Sequence, residues 1–113
     1  MNDTIIAVTT NDIPGYDVVE VYGEVFGVLT RSRNIVSGFG ASLKSIVGGE
    51  IKAYTKLLSD SRIEATERMK QAAAQRGGNA VLAMRFDTGD IGGTMNEVAA
   101  YGTAVKIVPK RQS

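Results

Sequence analysis

The chain has 113 residues, of which 43% are hydrophobic and 22% are charged, and its formal net charge is +1. Length and composition predict a single globular domain over residues 1–113, and the balanced charge gives no electrostatic reason to expect a nucleic-acid partner. The sequence contains no Cys and no His, which excludes disulfide bonds, thiolate or imidazole metal ligands, and catalysis by Cys or His.

The first two predicted elements are strands. A β-rich run over residues 4–10 precedes a turn cluster at 11–15, and a longer strand is predicted over 17–31. Period-two alternation in the longer strand separates a small or apolar set from a set that mixes Glu with large apolar residues. The first set is Val19, Val21, Gly23, Val25, Gly27 and Leu29, and the second is Val18, Glu20, Tyr22, Glu24, Phe26 and Val28.

A long helix is predicted in the middle of the chain. Residues 32–47 are rich in Gly, Ser and Asn and indicate a loop with one helical turn at 41–45. The helical pattern then runs from Gly49 or Glu50 to Arg76. Ser61 and Glu64 imitate a capping box that could start a second helix, but one helix is favoured because the apolar stripe keeps its phase. The stripe is Ile51, Tyr54, Leu58, Ala65, Met69, Ala72 and Ala73.

Two more strands follow the helix. Gly77 suits the left-handed position just after a helix end. The next strand is predicted over residues 80–88, with one face made of Ala80, Leu82, Met84 and Phe86. Residues 89–93 contain three glycines and indicate a hairpin turn, and the last strand is predicted over 95–108.

This element order, with two strands before the long helix and two after it, predicts an α+β fold. One helix covers only one face of a sheet. One face of the long strand therefore stays uncovered. It carries either Tyr22, Phe26 and Val28 or the odd-numbered set of apolar residues. We expect self-association to cover it.

Several short sequences form a further pattern: IVGG at 46–49, then Tyr54, Leu58, Arg62, Ala65, Met69 and Ala73, then Gly77-x-Asn79-Ala-Val81, Asp87, and Gly102-Thr-Ala-Val-Lys106. Over about residues 23–106 this pattern resembles the YbjQ-like proteins. The resemblance implies a compact, dodecin/YbjQ-like β-α-β-β subunit with one long helix packed on an antiparallel sheet, which assembles into a ring, usually a pentamer. The family is labelled a "putative heavy-metal-binding domain", and its members have no established biochemical activity.

The first candidate site is the predicted helix start at Gly48, Gly49 and Glu50. Free N–H groups in the first turn of a helix can bind an anion. The Glu50 carboxylate would already complement the positive helix end and would repel a second negative group. Turn geometry is therefore favoured for the two glycines, and anion binding is the alternative.

The second candidate site is Tyr54 with Arg62, which lie eight residues apart on nearly one line along the helix, with Leu58 between them. A tyrosine hydroxyl and a guanidinium could form a polar pocket. The favoured interpretation is that Tyr54 packs on the sheet while Arg62 pairs with Glu20 or Glu24, in the same or a neighbouring subunit.

These observations predict a non-catalytic homo-oligomer that is structural or binds a small molecule or anion at subunit boundaries, without a cofactor. The alternative is a metal-binding protein, as the family label says, although only carboxylates, backbone oxygens and Met thioethers are available as ligands. No nucleotide-binding glycine motif and no broad basic face is present. No apolar run approaches the roughly 18 residues of a membrane span, and the first residues lack signal-peptide features, so we expect a cytoplasmic protein.

Overall fold

A computed structural model of the chain describes residues 4–32, 46–47, 50–92 and 95–111. In these residues one helix packs on a four-stranded sheet with strand order β1-β5-β6-β2, and β3 and β4 form a separate two-stranded pair. The bounds are β1 (Ile6–Ala7), β2 (Tyr16–Ser32), β3 (Ile46–Val47), β4 (Glu50–Ile51), α1 (Lys52–Gln75), β5 (Ala80–Ile91) and β6 (Met95–Pro109). The α+β class and the β-α-β-β order of the long elements are confirmed.

The sheet is mixed, not antiparallel as predicted. β6 pairs antiparallel with both β2 and β5, whereas β1 pairs parallel with β5. The parallel pair arises because the segment that follows Ile5 runs beside the start of β5, where Ile6 and Ala7 lie opposite Ala80 and Val81. This segment then continues along β5, and the Met84 amide donates to the carbonyl of Val8 at 2.9 Å.

Two register shifts in β2 change which side chains share a face. They lie between Val18 and Glu20 and between Val21 and Gly23, and Gly23 adopts a φ of +96° that favours glycine. Each shift adds one residue to β2 and resets the alternation of its side chains.

The predicted assignment of side chains to the two faces of β2 is therefore wrong in the first half of the strand. Val25 and Leu29 are buried under the helix as expected. Val21 lies opposite Val105, on the other face, and is exposed. Tyr22 packs against the helix-side core, although the alternation placed it with Phe26.

A comparable irregularity in β5 splits the face predicted there. The register shifts between Leu82 and Arg85, and Ala83 has a φ of +54°. Leu82 consequently packs with Ala80 on the face away from the helix, while Met84 packs with the helix-side core.

The helix runs without a break through Ser59-Asp60-Ser61, as the single-helix prediction required. Among the helix side chains that the structure describes, the buried ones are spaced four apart at Ser61, Ala65, Met69 and Ala73, which form one stripe on an α-helix. Leu58, assigned to the stripe from sequence, is 55% exposed. The buried strand residues that contact this stripe are Val25, Val81, Met84, Val98, Ala100 and Ala104.

The helix ends as the glycine pattern predicts. Gly77 has a φ of +91°, and the amides of Gly77 and Gly78 donate to the carbonyls of Ala74 and Ala73 at 3.0 and 2.9 Å. This pair of hydrogen bonds is the Schellman arrangement, which satisfies carbonyls that the helix leaves unpaired.

The helix begins later than predicted. Glu50 and Ile51 pair as a strand with Val47 and Ile46, so the helix starts at Lys52. The predicted loop at 32–47 lies mostly outside the described residues, and its helical turn at 41–45 lies wholly outside them. The helix that the structure describes lacks the continuous apolar length that a membrane crossing needs.

Candidate functional site

The predicted anion site at the helix start is only partly within the described residues. Gly48 and Gly49 lie outside them. Glu50 belongs to β4, so it precedes the first helical turn, and that turn contains no acidic residue. Tyr54 lies in the first turn of α1, where only its backbone is described. The position of Glu50 relative to the helix therefore differs from the predicted one by two residues, and its complementing the helix end stays a prediction.

Arg62 lies over β5 rather than beside the carboxylates of β2. Its guanidinium carbon is 4.9 Å from the centre of the Phe86 ring, a cation–π distance. Glu24 lies on the opposite face of the sheet, since its neighbour Val25 is buried under the helix. Glu20 lies near the helix C-terminus, where Arg76 donates to the Tyr22 carbonyl at 3.0 Å. The predicted pairing with Glu20 or Glu24 is wrong within one subunit.

Arg62 also forms part of the wall of a cleft of about 520 Å³ between the first half of the helix and the distal half of the β5–β6 hairpin. Cross-strand pairing of Thr88 with Val98 and of Asp90 with Asn96 places these four residues on the helix side of the hairpin. The helix contributes polar groups one turn apart. The lining residues are Thr55, Leu58, Ser59, Arg62, Thr88, Gly89, Asp90, Asn96, Glu97 and Val98.

A smaller recess of about 60 Å³ adjoins the cleft and shares Leu58, Asn96 and Val98 with it. Its other lining residues are Leu29, Leu57, Arg31 and Ser61. The recess is mainly apolar, whereas the cleft carries most of the hydroxyl, amide and charged groups.

Ser61 and Arg31 close one side of the recess with a hydrogen-bonded network. Ser61 is 2% exposed; its hydroxyl accepts from Arg31 Nε at 3.0 Å and donates to the Leu57 carbonyl at 2.8 Å. Glu64 accepts from Arg31 at 3.5 Å and from Arg68 at 3.2 Å. The hydrogen bonds fix the Arg31 side chain beside the recess.

The sequence singled out Arg62 and Leu58 but did not connect them with the strand residues that line the other wall of this cleft. Asp90 was assigned to a turn because residues 89–93 contain three glycines, whereas β5 continues to Ile91. Thr88 and Asn96 were predicted in strands, but no pattern in the sequence showed that they lie opposite the helix. Ser61 had a usable signal. It lies four residues before Ala65 on the buried stripe, and a serine at a buried position usually has polar partners.

A second candidate surface is the face of the sheet away from the helix. At one end the N-terminal segment covers it, since Val8 and Ile13 pack against Val105 and Ile107. Farther along β2, Val21 is 65% exposed and Phe26 is 60% exposed. Phe26 lies opposite the partly buried Tyr101.

The residues present do not fit a heavy-metal site. Soft metals prefer thiolate and imidazole ligands, and the chain has no Cys or His. Within the part of the chain that the structure describes, no three Asp and Glu residues come together in a group that could hold a metal ion.

Relatives of the chain extend over nearly its whole length. A UPF0145 protein from Acidothermus cellulolyticus is 55% identical over 103 residues, which are 91% of this chain and 95% of the relative. A UPF0145 protein from Lactobacillus johnsonii is 55% identical over 108 residues, which are 96% of this chain and 99% of the relative.

The fold also resembles a solved structure. The crystal structure of a protein of unknown function from Pediococcus pentosaceus, of the DUF74 family, matches with a TM-score of 0.60. The match covers 92% of this chain and 98% of that one at 17% identity, which supports similarity of fold.

The model of one family, described as "Putative heavy-metal-binding", matches residues 5–108. Together with the relatives above, this match shows that the chain belongs to the uncharacterised YbjQ (UPF0145) family.

Proposed function

We propose that the protein is a non-catalytic homo-oligomer whose subunits associate through the uncovered face of the sheet. The observation that carries the proposal is the exposure of Val21 and Phe26 on that face, at 65% and 60%. Large apolar side chains grouped on a surface favour association, because each Å² of apolar surface buried in a contact lowers the free energy by about 25 cal/mol.

The helix carries a second exposed apolar surface. Ile63 is 62% exposed and lies with Phe86 along a groove of about 300 Å³. The groove and the sheet surface lie on different layers of the subunit. Contact between the helix layer of one subunit and the sheet layer of the next is heterologous, and repeated heterologous contact generates a ring when the rotation closes. We propose five subunits, the number that the family resemblance implies.

The non-catalytic part of the proposal rests on the sequence. The chain has no Cys or His to act as nucleophile or general base. The wide, polar cleft beside Arg62 supports a role in binding a small molecule. Heavy-metal binding is the less favoured function, since the chain has only hard oxygen ligands and Met thioethers to offer.

Size-exclusion chromatography with light scattering tests the proposal on the wild-type chain and on Phe26→Asp. The wild type is expected to elute as an oligomer at micromolar concentration, and Phe26→Asp as smaller species, because a carboxylate at a buried contact is costly. Gln71→Asp adds the same charge at an exposed helix position and is the matched control. Circular dichroism establishes whether each variant is folded. A folded Phe26→Asp variant of unchanged mass would refute this interface, and a monomeric wild type would refute the assembly.

A further inference from the structure

The cleft beside Arg62 combines one polar wall with one apolar end. Arg62, Ser59 and Thr55 follow one face of the helix, and the recess begins at Leu58, one helical turn from Arg62. Four residues of α-helix rise about 6 Å. A ligand that contacts both Arg62 and the recess therefore needs only a short chain between its charged and apolar ends.

The contact with Phe86 holds the Arg62 cation in place: its guanidinium carbon lies 4.9 Å from the centre of the ring. A guanidinium carries its N–H groups in a planar fork, from which they can donate in pairs. Paired parallel N–H donors match the two oxygens of a carboxylate. Because the ring contact limits the rotation of the guanidinium, less conformational entropy is lost when an anion binds.

The charge opposite Arg62 limits the charge of the ligand. Asp90 lies on the helix side of the hairpin and lines the strand wall of the cleft, whereas Glu97 pairs with Gly89 on the opposite face of the sheet. A carboxylate on the wall opposite the guanidinium disfavours a phosphate or dicarboxylate, since each added negative charge is repelled. A monoanion is the anion that this arrangement tolerates best.

The recess selects the apolar end of the ligand. Its volume of about 60 Å³ exceeds the roughly 10–15 Å³ needed by one water on the same kind of measure. Leu29, Leu57, Leu58 and Val98 supply an apolar lining. The space suits a short branched aliphatic group and excludes an aromatic ring system.

We propose that the cleft binds a small aliphatic monocarboxylate, with its carboxylate on Arg62 and its branched tail in the recess beneath Leu58. Thr55, Ser59, Thr88 and Asn96 line the space between these ends with hydroxyl and amide groups. This inference rests on the small-molecule binding proposed above and names the class of ligand. The cleft lies within one subunit, and its occupation does not require assembly.

Calorimetric titration of the full chain with 4-methylpentanoate tests the proposal. Saturable binding is expected. Acetate has the same head but lacks the four carbons of the tail and should bind about 200-fold more weakly, since each buried carbon of the tail contributes about fourfold in affinity. The neutral 4-methylpentanamide should bind at least about 10-fold more weakly, because it loses the charged hydrogen bonds to Arg62.

Two variants separate the head contact from the tail contact. Arg62 is exposed, so its replacement in Arg62→Gln should leave the fold intact. This variant should bind 4-methylpentanoate at least about 10-fold more weakly, whereas Lys110→Gln, far from the cleft, should bind it as the wild type does. Val98→Ile adds a methyl group to the recess and should shift the preference towards butanoate.

Three results would overturn the proposal: no saturable binding of 4-methylpentanoate, equal binding of the acid and the amide, or binding unchanged in both Arg62→Gln and Val98→Ile. Each of these results concerns ligand binding at the cleft, and the mass of the protein in solution is measured independently. Failure here is therefore distinguishable from failure of the assembly.

Discussion

Gly27 lets the helix pack directly on the backbone of the sheet, and Gly27→Ala should therefore be strongly destabilising. A Cβ at this position would lie 2.7 Å from the Cβ of Arg68 and would meet the carbonyl oxygen of Ala65 and the amide nitrogen of Met69. Two of these three atoms belong to the helix backbone. Shortening a side chain cannot relieve the contact, so the helix itself has to move away from β2.

The magnitude follows from what that movement costs. Ordinary contacts of a Cβ begin near 3.4 Å, so the helix must shift by close to 1 Å. A gap of that size forfeits a quarter to a half of the attraction at each separated contact, and Ala65 and Met69 are fully buried there. Overpacking of a core costs 1–3 kcal/mol, and we expect about 3 kcal/mol because the backbone cannot yield locally. At about 4 °C per kcal/mol for a chain of this length, Tm should fall by about 12 °C.

Thermal and urea denaturation at equal protein concentration measure the effect, since the proposed assembly would make stability concentration-dependent. Gly89→Ala is the matched control, because it is also a strand glycine but its added Cβ would lie 3.8 Å from Glu97 Oε2. This control should be neutral or stabilising by up to about 1 kcal/mol through the unfolded state. Equal losses in both variants, or a loss below about 1 kcal/mol in Gly27→Ala, would show that the helix does not rest on Gly27.

Three further predictions follow from named contacts. Asn79→Ala should cost about 2 kcal/mol in urea denaturation, because the amide side chain donates to the Ile107 carbonyl at 3.0 Å and accepts from its amide at 2.8 Å; a loss below about 0.5 kcal/mol would contradict this. Ser61→Ala should cost about 1–2 kcal/mol by removing the acceptor of Arg31 Nε, whereas the exposed Ser59→Ala should change stability by less than about 0.5 kcal/mol; equal effects would argue against the network. Zinc, copper and cadmium should show no saturable site at micromolar metal in calorimetric titration, since thiolates and imidazoles are missing; a stoichiometric complex would refute that reasoning.

The local patterns in the sequence predicted the types of the long elements and the end of the helix. The 3.6-residue period and Gly77 were sufficient to predict one long helix with a glycine stop, and both features are present. They succeeded because helix periodicity and helix caps depend on residues within a few positions of each other.

The faces of the strands could not be predicted in the same way. Alternation assumes uninterrupted pairing, and one extra residue moves every later side chain to the other face. Gly23 was the only local sign of the second shift in β2, and Ala83 gave no sign of the shift in β5. Val21 and Tyr22 were placed on the wrong faces for this reason.

The candidate cleft depends on contacts between distant parts of the chain. Arg62 could be selected from its helix position, but Phe86, Asp90 and Asn96 come from a hairpin about 30 residues later. The parallel pairing of Ile6 with Ala80 is more distant still. No short window of sequence contains such a pairing, so neither the mixed sheet nor the opposite wall of the cleft could be predicted.

The most direct test of the central claim is the mass of the wild-type protein in native mass spectrometry at micromolar concentration. Subunits of 12.0 kDa with an uncovered sheet face should appear as one closed oligomer, with a mass near five times that of the subunit. A closed ring of another number would preserve the interface and change only the subunit count. A folded monomer with Phe26 in water would contradict the account.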